Sequence, residues 1–123
     1  MRQTVRLFLL IEAVCFLIAG AIHSGMLVSV DIHNDAAIAE SIIGGVLLIG
    51  FLLTWIWQRL TRVIGLAAQA FALFGTLVGL ATIIGGIGPR TIPDIGFHLA
   101  ILIVLGWGLL VTARPSGARS VPA

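Results

Sequence analysis

The chain has 123 residues, 59% of them hydrophobic and only 10% charged, with a formal net charge of +2. A water-soluble domain of this length could not hide so many apolar side chains, whereas lipid accepts them on the outside of a bundle, so the composition is that of one membrane-embedded domain. Nucleic acid is excluded as a partner, because all seven basic residues are arginines scattered at segment ends rather than gathered on one face.

Four apolar segments, at about 5–30, 36–57, 63–87 and 94–112, are each long enough to cross ~30 Å of hydrocarbon at ~1.5 Å per residue. They predict an all-α four-helix transmembrane bundle over residues 1–112. The polar, Pro- and Ser-containing stretch 113–123 is expected to be a disordered tail.

The first segment follows Arg2 and Arg6 and reaches the small residues Ala19-Gly20-Ala21, an order that imitates a secretory signal and its cleavage site. Glu12 interrupts that would-be signal core and apolar character continues through Met26-Leu27-Val28, so a retained helix is expected. Glu12 and His23 are eleven residues apart, three helical turns to within about 20°. Glu12, Phe16, Ala19 and His23 therefore share a face, and that face must point inward. Cys15 has no second thiol to pair with, which excludes disulfide exchange and any CxxC metal site.

The connection VDIHND carries Asp31, His33 and Asp35, read as solvated or helix-capping groups. The second segment holds Glu40 and Gly44-Gly45 and ends at Trp55 and Trp57, an interfacial aromatic anchor. After QRLTR, the third segment repeats small residues at Ala72, Gly75, Gly79, Thr82 and Gly86, including a GxxxG at Gly75–Gly79. Such a stripe faces a neighbouring helix, either within this chain, with Gly44-Gly45 as the natural partner, or in a second copy. Gln69 suits an interhelical hydrogen bond. Gly88, Pro89 and Pro93 then break the helix and restart it. In the fourth segment Asp94 and His98 share a face. The carboxylate suits the positive helix N-terminus and can orient the imidazole beneath it.

Arg2, Arg6, Arg59, Arg62, Arg114 and Arg119 fall on one side of this four-pass arrangement and only Arg90 on the other. The bias predicts a protein of the inner (plasma) membrane with both termini cytoplasmic.

Ionisable groups within spanning segments are costly to insert, so each needs a partner, a wet cavity or a function. Counting from the external helix ends puts Glu40 and His98 one turn down, His23 two turns down, and Glu12 near the middle or in the inner half. His23, Glu40 and His98 thus come from three helices at similar depth. They are expected to converge in an outward-facing pocket that binds a metal ion or small ligand, with Asp94 as a fourth ligand or a support behind the others. Two imidazoles and a carboxylate suit zinc, or less specifically copper or iron; a haem between His23 and His98 is a further option. The plainer alternative leaves Glu40 and His98 near the interface and has His23 lock helix packing through a hydrogen bond. With no nucleotide-binding loop, HExxH or GxSxG, a binding or accessory protein is expected before a stand-alone enzyme. Its surroundings would be the lipid bilayer and a homo-oligomer or larger membrane complex; the structural alternative is a subunit docking through the Gly75–Gly79 face.

The piece LLIEAVCFLIAG, residues 9–20, together with the length and four passes, resembles the small multidrug resistance transporters. That resemblance implies a proton-coupled exporter in which Glu12 serves as proton and substrate site. A four-helix unit with short loops, a glycine-rich third helix and a polar patch at one end is also similar to DoxX-like membrane proteins and to small membrane proteins of GC-rich bacteria. This second likeness implies a fold and, loosely, a redox accessory or quinone-related membrane subunit.

Overall fold

The computed structural model describes residues 1–29 and 32–114; Asp31, Arg119 and the expected tail from Pro115 onward lie outside them. The described residues form four helices, α1 (Arg2–His23), α2 (Asn34–Ile56), α3 (Thr61–Ile84) and α4 (Ile92–Ala113), with one 3₁₀ turn, Gln58–Leu60, leading into α3. There is no strand among the described residues. All four helices are long and apolar enough to cross a membrane. The 22 residues of α1, for example, rise about 33 Å.

Two helices stop earlier than their hydropathy. Apolar character runs to 30 in the first segment and 87 in the third, but α1 ends at His23 and α3 at Ile84. The cause is the same in both: Gly25 and Gly86 each take φ of 78°, a left-handed conformation that a Cβ disfavours. In each case the glycine N–H turns back to a carbonyl three residues earlier (Ile22, Ile83), and the next residue's N–H reaches the preceding carbonyl (Ala21, Thr82). This is the Schellman closure of a helix C-terminus. The helix α4 starts from a capping box. Thr91 Oγ1 accepts from the Asp94 N–H, Asp94 Oδ2 accepts from the Thr91 N–H, and Pro93 sits in the first turn, where its missing donor costs nothing.

The helices run antiparallel in the order α1–α2–α3–α4. Arg2 and Gln58 at one end of the bundle are joined by a hydrogen bond; this is called the terminal end, and the opposite one, with the α1–α2 and α3–α4 connections, the distal end. Helices α1 and α3 each pack on all three others, so they form the short diagonal of the cross-section, with α2 and α4 at the far corners. One stripe of each helix is buried, at three- and four-residue spacing. Val5, Leu9, Ala13 and Phe16 meet Ile43 and Leu47, Ala68 and Ala72, and Ile101 and Leu105 in a single core. Helices α1 and α2 approach closely through glycine: a Cβ on Gly44 would lie 2.8 Å from Leu17 Cγ and 3.1 Å from its backbone nitrogen.

The outside of the bundle is apolar, with Ile49, Leu52, Phe74, Ile103 and Leu110 all more than half exposed, while Arg6, Glu12, His23, Glu40, Gln69 and His98 are buried. This reverses the distribution of a water-soluble domain. Three arginines hold helix C-termini. Arg6 donates to the carbonyl of Thr54 at 2.7 Å and to its hydroxyl at 3.1 Å, lying over the Trp55 ring. Arg62 donates to the Ala113 carbonyl, and Arg90 to those of Ile83 and Ile84. Each cation thereby meets the negative end of a helix dipole.

Candidate functional site

The early end of α1 decides the geometry of the distal polar groups. Because the helix stops at His23, that imidazole lies at the helix end and not two turns inside, level with the second turn of α2 and the first turn of α4. Its Nδ1 is 2.6 Å from Glu40 Oε2, and its Nε2 is 2.9 Å from Asp94 Oδ1. One ring thus bridges the two far-corner helices. All three side chains are largely buried. With both carboxylates ionised, both ring nitrogens must donate, so two negative charges share one imidazolium.

Asp94 divides its oxygens between two tasks. Oδ2 takes the Thr91 hydroxyl and N–H, fixing the start of α4, and Oδ1 faces His23. The expectation that its carboxylate orients His98 is therefore corrected. His98 Nδ1 donates instead to the backbone carbonyl of Asp94, at 2.8 Å. A carbonyl can only accept, so Nδ1 carries the proton and Nε2 of the neutral ring is a bare acceptor.

The metal expectation is not supported. Among the described residues, no group of three or more His, Cys, Asp or Glu side chains is arranged to hold a metal ion. The physical reason is that both His23 nitrogens are already turned to carboxylates. Nor is His23 free to ligate a haem opposite His98.

Beside the cluster, α2 and α3 part and leave a cavity of about 450 Å³, within the range of about 300–1,000 Å³ typical of small-molecule sites. Its back wall is Phe16, Glu40, Ile43, Thr76, Gly79 and His98. Phe71, Phe74 and Val78 form the side towards the apolar exterior, and Ile87, Gly88 and Pro89 cover the distal end. His33, half-buried, and Asp35, exposed, also line it. The lining is mostly apolar, but it contains one anomaly. Glu40 is 5% exposed, and its Oε1 is the one buried side-chain polar atom without a hydrogen-bond partner among the described residues. Such an atom normally finds a partner.

Glu12 belongs to a separate network nearer the terminal end. It is fully buried, both its oxygens accept from Gln69 Nε2 at 3.0 and 3.2 Å, and Gln69 Oε1 accepts from the Thr112 hydroxyl at 2.9 Å. Gly108 leaves room for this, since a Cβ there would lie 2.5 Å from Glu12 Oε1. Glu12 lines no part of the α2–α3 cavity.

The α3 glycines pack within the chain, although not on Gly44-Gly45. A Cβ on Gly75 would meet Ile43 Cδ1 at 2.6 Å, and one on Gly79 would meet His98 Nε2 at 3.0 Å, while Gly44 is spent on α1 and Gly45 has nothing within 4 Å.

Of the four residues expected to converge, His23, Glu40 and Asp94 are directly bonded, and His98 joins Glu40 in the cavity wall. Sequence reasoning missed Thr91, whose Thr-x-x-Asp spacing before an apolar run is a readable capping signal. It also missed Phe71 and Phe74, which nothing in the sequence separates from the other exposed apolar residues. No protein-family model, curated protein or solved structure matches the chain.

Proposed function

We propose that the chain is a multi-pass protein of the inner (plasma) membrane, with both termini cytoplasmic, that binds a small lipid-soluble molecule in the α2–α3 cavity. It would act as a binding or accessory protein, with Glu40 and His98 as the polar end of the site. The apolar exterior and four spanning-length helices support the membrane setting. The arginines at the terminal end, Arg2, Arg6, Arg59, Arg62 and Arg114, support the orientation; Arg90, the distal exception, is occupied in closing α3.

The observation that carries the binding reading is that Glu40, whose Oε1 has no hydrogen-bond partner among the described residues, lines a mostly apolar cavity. A buried acceptor without a partner costs about 1–3 kcal/mol, a cost that a ligand bringing its own donor removes. The cavity sits against exposed Phe71, Phe74 and Val78, so a molecule dissolved in the bilayer reaches it sideways.

Photolabelling tests this. A diazirine-bearing alkyl alcohol should mark Ala39, Phe74 and Val78 above other lipid-facing residues, and Ala39→Phe, which fills the mouth from an exposed position, should abolish that preference. Labelling spread evenly around the bundle in both proteins would reject the reading. The exporter reading has less to stand on, since Glu12 is closed in by Gln69 and Thr112 and lies apart from the cavity.

A further inference from the structure

Accounting for every hydrogen at the inner end of the cavity narrows what could bind there. The Thr76 hydroxyl donates to the Ala72 carbonyl and the Thr82 hydroxyl to the Gly79 carbonyl, both at 2.7 Å, so each oxygen turns only lone pairs outward. His98 spends its proton on Asp94, leaving Nε2 as an acceptor. Ionised, Glu40 offers Oε1 as an acceptor with no partner among the described residues. The covering segment adds no donor, because the Ile87 and Gly88 N–H groups both bond the Thr82 carbonyl and Pro89 has none. What donors there are, the His33 ring and the first-turn amides of Asp35 and Ala36, lie at the start of α2, at the distal end of the bundle, where water competes.

From this we infer that the cavity takes an amphiphile with a hydrogen-bond-donating, cationic head, an alkyl or aryl ammonium, seated between Glu40 Oε1 and His98 Nε2 with its apolar body along Phe71 and Phe74. The inference rests on the binding reading above and deepens it. Charge points the same way as hydrogen-bond polarity: with Glu40 and Asp94 both ionised around one His23 imidazolium, the three side chains carry a net negative charge that an ammonium balances. The faces of Phe16, Phe71 and Phe74 in the cavity wall offer a further attraction to a cation. A ketone, quinone or carboxylate head would instead set lone pairs against lone pairs.

Four probes of similar chain length separate the possibilities: decylamine, decanol, decyl methyl ketone and decanoate, titrated into the protein in lipid nanodiscs against empty nanodiscs. Decylamine should bind tightest, ahead of the ketone by roughly tenfold or more, the worth of a charge-assisted hydrogen bond, with decanol between them and decanoate not binding. Glu40→Gln, which puts an amide donor in place of the acceptor, should erase or invert the preference of amine over ketone. Should ketone and amine bind wild type equally while Ala39→Phe blocks both, the head-group assignment is wrong and the cavity stands. If instead all four bind Ala39→Phe as they bind wild type, the cavity is not the site and both readings fall.

Discussion

At the scale of single residues, the distal cluster depends on one imidazole doing two jobs. His23 holds Glu40 on one nitrogen and Asp94 on the other, and these carboxylates belong to α2 and α4, which have little other contact. Removing the ring would leave two buried carboxylates facing each other with no cation between them, and breaking a buried pair by deleting one partner costs about 3–5 kcal/mol. His98 makes a single bond to a backbone carbonyl, worth about 0.5–1.5 kcal/mol. His23→Ala should therefore lower unfolding stability several times more than His98→Ala, as read by denaturant unfolding in mixed micelles. Equal losses would show that the bridge adds nothing beyond an ordinary hydrogen bond.

At the scale of helices, glycine sets both where they end and how closely they approach. The left-handed turns at Gly25 and Gly86 end α1 and α3 before their apolar stretches do, which is what brings His23 to the bundle end. Within α2, two adjacent glycines have opposite surroundings. A Cβ on Gly44 would press on Leu17, backbone included, whereas one on Gly45 would meet nothing within 4 Å. Gly44→Ala should cost about 1–3 kcal/mol through overpacking. Gly45→Ala should be neutral or slightly stabilising, because alanine is the better helix former. Thermal unfolding of the two variants side by side checks this, and similar behaviour would mean that α1 and α2 are not so closely apposed. The arginines act on the same scale, with Arg6, Arg62 and Arg90 each satisfying carbonyls at a helix C-terminus.

For the whole molecule, polar side chains inside and apolar side chains outside give the bundle three interior ties at different levels. Arg6–Thr54 joins α1 to α2 near the terminal end. Glu12–Gln69–Thr112 joins α1, α3 and α4 further in, and Glu40–His23–Asp94 joins α2, α1 and α4 at the distal end. Interhelical hydrogen bonds would matter in the proposed membrane setting, because lipid supplies no hydrophobic force pressing helices together. The proposed orientation is open to direct measurement. In a Cys15→Ala background, a cysteine replacing exposed Ile87 should react with a membrane-impermeant thiol reagent in intact cells, and one replacing exposed Leu60 only after permeabilisation. The opposite pattern would invert the orientation and turn the cavity mouth to the cytoplasm.

The sequence by itself determined that there are four long apolar helices, because hydropathy over a spanning length needs no tertiary information. It also showed which stripe of α1 faces inward, since Glu12 and His23 cannot both be left in lipid. Hydropathy left open where α1 and α3 end, because it continues past Gly25 and Gly86, and the stop lies in the local backbone hydrogen bonds of the closing turns; what tertiary structure alone decided is which partners His23 meets at that end. It decided, too, how each polar group is used. That Asp94 contributes its carboxylate to His23 and only its carbonyl to His98 depends on the distances between three helix ends. The cavity was invisible in the chain for a similar reason: it is the gap left where α2 and α3 separate, and a gap has no residue pattern of its own.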